Sequence, residues 1–364
     1  MRRFILFELA IFLLFMFSAC GKIGDPLPPL VMVPKPVEQF DLAQEGTKLN
    51  LDWQLPTVYT DGTPIPGYSS LEFWMLREDK IPESELPALS VDRFRELGEI
   101  VLDIPLQDFS KYQPDPEKAP RKFQYEHPLL LEELGKIRIT FALVVKDNKR
   151  RYSSFSQLRT IEPLLVSLTA SELKGEVFKD HISVTWTAPI KNLDDSEPAA
   201  VKGYNLYRLN EEGEPFLLNP SPIVETKFDD QNFSFGSTYF YFVRTVANDV
   251  SPYIESSASP TLEVLAKDVF PPAVPKGLVA IAGEDFVSLS WDLGRDSDLS
   301  TFKIWRRQSG DKEFQCLTPD GIPENAYTDH SVGRDKTYEY SVTAVDGEGN
   351  ESNPSKQVSI FVRG

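Results

Sequence analysis

The chain has 364 residues, 55 Asp and Glu against 38 Lys and Arg, and a formal net charge of −17. Such acidity argues against a nucleic-acid partner, while 41% hydrophobic and 12% aromatic residues are too much core material for a disordered acidic polymer. Two Cys exclude a disulfide scaffold and a cysteine-based zinc site, and three His, scattered at His127, His181 and His330, leave most metal and nucleophile chemistries without their parts.

Residues 1–20 read MRRFILFELAIFLLFMFSAC: two arginines, an apolar run from Phe4 to Phe17, then small residues before a cysteine. That is a secretion signal in outline, and its apolar run is shorter than the ~20 residues a membrane-spanning helix needs. Residues 1–19 resemble a bacterial lipoprotein signal peptide, with FSAC as the lipobox. The resemblance implies cleavage before Cys20, which would carry diacylglycerol on its sulfur as the mature N-terminus; an ordinary secretion signal is the alternative. It also implies a destination, because Gly21 stands where Asp would mark inner-membrane retention, so an outer-membrane place in the cell envelope is expected. The chain's acidity repels anionic headgroups, so the membrane would be held through acyl chains, at about 0.8 kcal/mol per buried methylene. Residues 20–35 are rich in proline and turn formers and read as an extended, solvated spacer.

Three segments then align on a tryptophan set in alternating apolar sequence: LNLDW ending at Trp53, ISVTW ending at Trp186 and VSLSW ending at Trp291. Alternation with period two marks half-buried antiparallel strands. A second strand follows each, at 67–77, 203–208 and 301–306, and a long aromatic and β-branched strand closes each near 136–156, 237–249 and 336–355. The first copy carries an insertion at about 78–121, in which Ser90 is placed to cap a short helix over Val91–Leu97, with an irregular excursion plus one strand as the alternative. Pro163 and the proline-rich stretch 269–277 separate the copies, giving domains at 36–162, 163–268 and 269–364 joined by stiff junctions as a semi-rigid rod.

Together the copies resemble fibronectin type III domains over about residues 36–362. The resemblance implies an all-β chain of three tandem immunoglobulin-like sandwiches after the signal and spacer. It makes Trp53, Trp186 and Trp291 core residues of the second strand, and matches Tyr204, Phe302 and, less closely, Tyr68 to the aromatic of the third. Tyr239 and Tyr338 take the tyrosine-corner position, where the first copy has Ile139.

Few residues suggest chemistry. Asp296, Asp298, Asp346 and Glu348 lie in loops that the family places at one end of a sandwich, where oxygen ligands for calcium could converge or simple polar turns could form. Asp194, Asp195 and Asp249 occupy the corresponding loops of the second copy. Cys316 reads as a small strand residue, and His127 and His330 as turn residues in related places. There is no phosphate loop, no serine elbow and no zinc-protease motif. The expected protein is a non-enzymatic, membrane-anchored envelope lipoprotein, a scaffold or protein-interaction rod with an envelope protein or glycan as partner. The alternative is a carbohydrate- or cell-wall-binding accessory protein using exposed aromatics such as Trp74 and Trp305. No cofactor is expected beyond the lipid at Cys20, with calcium as the minor possibility. The insertion is where function is expected to reside.

Overall fold

The computed structural model describes residues 32–85, 87–114, 122–294, 296 and 298–364. The signal at 1–19, Cys20 and the spacer up to residue 31 lie outside the described residues, as do residues 115–121 of the insertion.

The described residues form an all-β chain of three sets of seven strands. The first set comprises β1 (Phe40–Glu45), β2 (Lys48–Gln54), β3 (Tyr68–Asp79), β4 (Glu99–Pro105), β5 (Lys122–Pro128), β6 (Ile137–Asp147) and β7 (Arg159–Ile161), with one helix, α1 (Val91–Leu97), between β3 and β4. The second comprises β8 (Ser171–Val177), β9 (Ile182–Thr187), β10 (Gly203–Leu209), β11 (Pro215–Leu217), β12 (Lys227–Asp230), β13 (Thr238–Val246) and β14 (Leu262–Leu265). The third comprises β15 (Val279–Ala282), β16 (Val287–Ser290), β17 (Leu299–Gln308), β18 (Gln315–Cys316), β19 (Ala326–Asp329), β20 (Lys336–Asp346) and β21 (Val358–Val362).

Each set makes the same two sheets: a three-stranded one, β1-β2-β5, β8-β9-β12 or β15-β16-β19, and a four-stranded one, β4-β3-β6-β7, β11-β10-β13-β14 or β18-β17-β20-β21. Three strands facing four is the fibronectin type III form of the immunoglobulin-like sandwich. Period-two alternation places the cores. Along β2, Leu49, Leu51 and Trp53 point inward and are buried. Trp186 and Trp291 hold the same place in β9 and β16, and all three indoles are at most 5% exposed.

The serine-rich exits of the long strands have a defined task. After β6, β13 and β20 the chain leaves the sheet before its last strand begins, so ladder partners are missing for two amides in each sandwich. Serine hydroxyls three residues apart take their place: Ser156 and Ser153 accept from Leu143 and Val145, Ser259 and Ser256 from Val243 and Thr245, and Ser355 and Ser352 from Val342 and Ala344, at 2.9–3.0 Å. A buried amide left without a partner costs free energy, which gives the repeated Ser-x-x-Ser spacing its reason.

These bonds also align the three copies residue by residue. Ile139, Tyr239 and Tyr338 are equivalent. The Tyr239 hydroxyl accepts from the Ser234 amide at 2.8 Å and the Tyr338 hydroxyl from the Gly333 amide at 2.9 Å, each five residues upstream. Ile139 is buried instead, and the approach to β6 is held by Glu133, which accepts from the Leu130 amide at 3.2 Å and ion-pairs with Arg77. The expectation for Tyr68 needs correction. Leu71 pairs with Val145 as Phe302 pairs with Ala344, so Leu71 is the counterpart of Phe302, and Tyr68 donates its hydroxyl to the Pro56 carbonyl outside that position.

By packing, the described residues divide into two compact units: 32–170 with Ala188–Asn205 and Val243–Ser259, and Ser171–Thr187 with Leu206–Phe242 and Pro260–Gly364. Within the first unit, Gln44 is 2% exposed and its amide bonds the Leu164 amide and carbonyl at 2.9 and 2.8 Å. The Gly46 amide donates to the Glu255 carbonyl at 2.8 Å, while Arg244 ion-pairs with Glu45 at 2.9 Å. Gly46 has φ +58°, and a Cβ there would lie 2.6 Å from the Ser257 hydroxyl. Gly46→Ala therefore combines left-handed strain with a clash and is expected to destabilise this unit by about 1–3 kcal/mol, read as a lower urea midpoint. Within the second unit, Asp296 accepts from the Ala273 amide at 2.8 Å and from Lys179 at 3.2 Å.

Candidate functional site

Burial of charge needs a cause, and two buried aspartates show theirs. Asp230 and Asp329 close β12 and β19 and lie opposite Ile182 and Val287. Each accepts from a tyrosine and an arginine: Asp230 from Tyr241 at 2.9 Å and Arg208 at 2.6 Å, and Asp329 from Tyr340 and Arg306, both at 2.8 Å. The arginines also donate to the Asn232 and Ser331 carbonyls. Burial would raise the Asp329 carboxyl, but hydrogen bonds from Ser331, Tyr340 and Arg306 outweigh it and hold Asp329 below the ordinary carboxylate range. Burial, reinforced by that carboxylate, pushes the Tyr340 hydroxyl far up, and the same causes act on Tyr241.

The first sandwich fills the same three positions differently. His127 lies opposite Leu49 as Asp230 lies opposite Ile182, Phe141 pairs with Met75 as Tyr340 pairs with Arg306, and the His127 and Phe141 rings meet at 5.5 Å. His127 is thus the counterpart of Asp329 and not of His330, which corrects the expectation from sequence. Burial lowers the His127 pKa, with Glu133 opposing and Arg77 assisting. Since the unfolded chain then takes up the proton first, the first sandwich is expected to lose stability as pH falls through the ordinary histidine value of 6.5. The depressed carboxyls of Asp329 and Asp147 instead contribute above their ordinary value of 3.8 and lose that contribution only as pH falls further. Amide hydrogen exchange should therefore show β5 and β6 loosening at a higher pH than β19 and β20, and His127→Phe should abolish the first step.

The acidic loops assemble a different group from the one expected. Carboxylate oxygens of Asp268, Asp346 and Glu348 lie within 4.8 Å of one another, with Asp268 and Asp346 buried. Asp296 and Asp298 do not join them. Asp296 serves Ala273 and Lys179, which lower its pKa, and the Asp298 carbonyl accepts from the Gly347 amide at 3.2 Å. Asp346 is itself engaged by the turn: one oxygen accepts from the Glu348 and Asn350 amides at 3.0 and 2.7 Å, the other from the Asn350 side chain at 2.8 Å. Asp147 does the same at the equivalent place, accepting from the Lys149 and Arg151 amides at 2.8 Å and from the Tyr59 hydroxyl at 3.0 Å. Turn chemistry accounts for Asp346 and Asp147. In the second copy Asp194 accepts from the Ser196 amide and hydroxyl, Lys191 ion-pairs with Asp195, and Lys202 with Asp249.

The insertion adds a layer. Ser90 accepts from the Arg93 amide at 3.1 Å and so caps α1. Phe94 of α1 is fully buried in a small cluster with Leu76 and Ala142, against Trp74, Leu89, Phe155 and Leu158. This lies on the outer side of β3 and β6, opposite the main core, and covers that sheet face. Trp74 meets the Phe155 ring edge-on at 5.3 Å and donates to Glu72 at 3.0 Å. Trp305, its counterpart, is half-buried and donates to Thr343 at 3.1 Å. Cys316, half-buried and unpaired, lies opposite Trp305.

The fold defines the class: tandem fibronectin type III-like sandwiches. No family model matches the chain. It is similar to Exoglucanase B of Cellulomonas fimi, 26% identical over 208 residues, which is 56% of this chain and 17% of that protein. The chain thus spans about 17% of the length of the curated relative it matches. Among solved structures, the chicken CNTN1 FN1–FN3 domains align with 91% of this chain and 99% of their own at 16% identity and a TM-score of 0.27. The two fibronectin type-III domain segment of chicken tenascin aligns with 53% of this chain and 99% of its own, at 15% identity and a TM-score of 0.35.

Proposed function

We propose that this chain is a non-enzymatic envelope lipoprotein, anchored by lipid at Cys20, whose tandem sandwiches serve as a scaffold that binds other proteins. The observation that carries the non-enzymatic reading is the engagement of four buried acids: Asp147, Asp230, Asp329 and Asp346 each hold a turn or strand end through several hydrogen bonds. Side chains of the kind that could act as acids or bases are serving the fold. The anchor rests on the charged, apolar and small-residue succession that ends at Cys20. Metabolic labelling with palmitate tests it. Label should enter the wild-type chain and be absent from Cys20→Ala, and equal labelling of both, or none in either, would sink the anchor. The same reading divides the chain at about Pro163 and Val269, and limited proteolysis should nick first at the second of these, where Val269 is 55% exposed, and not at the buried Pro163.

The likeness to Exoglucanase B favours a second reading, an accessory protein that holds carbohydrate or cell wall. A glycan array separates the two, since retention of the chain on plant or bacterial polysaccharide is expected only from the second.

A further inference from the structure

The outer faces of the three four-stranded sheets are equivalent surfaces put to different uses. On the first, α1 covers the sheet: Phe94 is buried, Arg95 lies over the Phe155 ring at 5.5 Å, and Arg93 pairs with Glu78 at 2.9 Å. The cover is an apolar anchor flanked by arginines. On the third, the face is polar and self-satisfied, with Lys303 on Glu351 at 2.8 Å, Thr343 bonding Glu351 and Trp305, and Arg307 on Glu339 at 2.6 Å.

The second face follows neither pattern. Tyr207 of β10 stacks on Phe242 of β13 with rings 5.1 Å apart and 9° from parallel. Around this pair Leu217, opposite Tyr207 in β11, is 42% exposed, Phe240 is 38% exposed and Leu265 is 57% exposed. Strand alternation puts all five on one side, away from the core residues Leu206, Tyr241 and Val264. Phe240 stands where the first sandwich has Thr140, buried and bonded to Thr160, and the third has ion-paired Glu339. An exposed apolar patch on a folded domain marks an interaction surface.

Its rim indicates the occupant. Glu211, Glu212 and Glu214 in the turn between β10 and β11, and Glu263 beside Phe240 in β14, are exposed around the patch; of the cations on this side, Lys267 lies just past β14, and Arg244, further along β13, is already paired with Glu45 and Glu255. We infer that this face of the middle sandwich docks a short basic segment of a partner protein, an aromatic or leucine side chain flanked by Arg or Lys, in the way α1 covers the first sandwich. A second copy of this chain is disfavoured by its own charge of −17. Sugar is disfavoured because Tyr207 and Phe242 turn their ring faces to each other and the exposed groups beside them are largely aliphatic. The inference deepens the protein-binding half of the proposed function and is independent of the anchor, which palmitate labelling tests separately.

The experiment is selection of random twelve-residue peptides displayed on phage against the full chain, followed by binding to two variants. The expected result is enrichment of peptides with an apolar anchor between basic residues. Their affinity should fall at least tenfold for Leu217→Ser/Phe240→Ser, and severalfold for Glu211→Gln/Glu263→Gln. All four positions are exposed, and an unchanged urea midpoint confirms that each variant folds; if the serine variant fails to fold, the glutamine variant alone decides. Peptides that bind both variants as well as wild type, or an enriched set without basic residues, would overturn the inference. So would cello-oligosaccharide binding that the serine variant loses, which assigns the face to sugar, or concentration-dependent dimerisation that it loses, which assigns it to a second copy.

Discussion

Replacing Asp329 with alanine is expected to destabilise the third sandwich by about 3–5 kcal/mol, because removing one partner of a buried ion pair leaves the other uncompensated. The carboxylate is 1% exposed and accepts from Arg306, Tyr340, the Ser331 hydroxyl and the Ser331 amide. Its loss strands a guanidinium and a buried phenol at once. The first sandwich shows another solution at these positions: Met75, His127 and Phe141 stand for Arg306, Asp329 and Tyr340. Exchanging a buried ionic group for apolar residues of similar volume is often neutral or stabilising. The triple variant Arg306→Met, Asp329→His, Tyr340→Phe should therefore recover most of the stability that Asp329→Ala loses. Hydrogen exchange of the β19 and β20 amides reads both, and equal loss in the two variants would show that the network does more than satisfy its own charges.

Trp291→Ala should cost a similar amount, about 3–5 kcal/mol, for a different reason: a large aromatic is removed from a packed core that collapses only in part. Trp291 is 3% exposed and meets Phe302 edge-on at 5.3 Å. Its indole nitrogen is buried without a hydrogen-bond partner, so the loss is one of volume and contact. Trp291→Phe should accordingly cost much less than alanine. In the first sandwich Trp53 has a tighter aromatic setting, edge-on to Phe73 at 4.9 Å and stacked on Phe123 at 5.5 Å, so Trp53→Phe should be felt more than Trp291→Phe. Urea unfolding followed by far-ultraviolet circular dichroism measures all of these without depending on the replaced fluorophore.

The all-β, tandem-sandwich character was legible in the sequence because it rests on local pattern. Inward residues every second position, a tryptophan in the second strand and prolines between the copies are properties of short stretches. The helix over Val91–Leu97 was legible for the same reason, since Ser90 and the turn it caps are neighbours in the chain. What the sequence left open depends on register. His127 and His330 look alike because each precedes a long strand, yet one residue of offset places His127 in the buried charge position and His330 past it. Tyr68 follows Gly67 directly as Tyr204 follows Gly203, but it pairs with Asp147 as Leu299 pairs with Asp346, three positions before the core place that Leu71 takes.

By itself, then, the sequence determined a chain of alternating strands with core tryptophans, an acidic surface and a signal-like N-terminus. Only the tertiary structure decided where charge converges: Asp268 with Asp346, Arg306 with Asp329, and acidic side chains around an exposed Phe240. The physical reason is one of range. Alternation is set by backbone geometry within a single strand, whereas an ion pair or a sheet face forms between residues tens of positions apart, and only strand pairing fixes which of them meet.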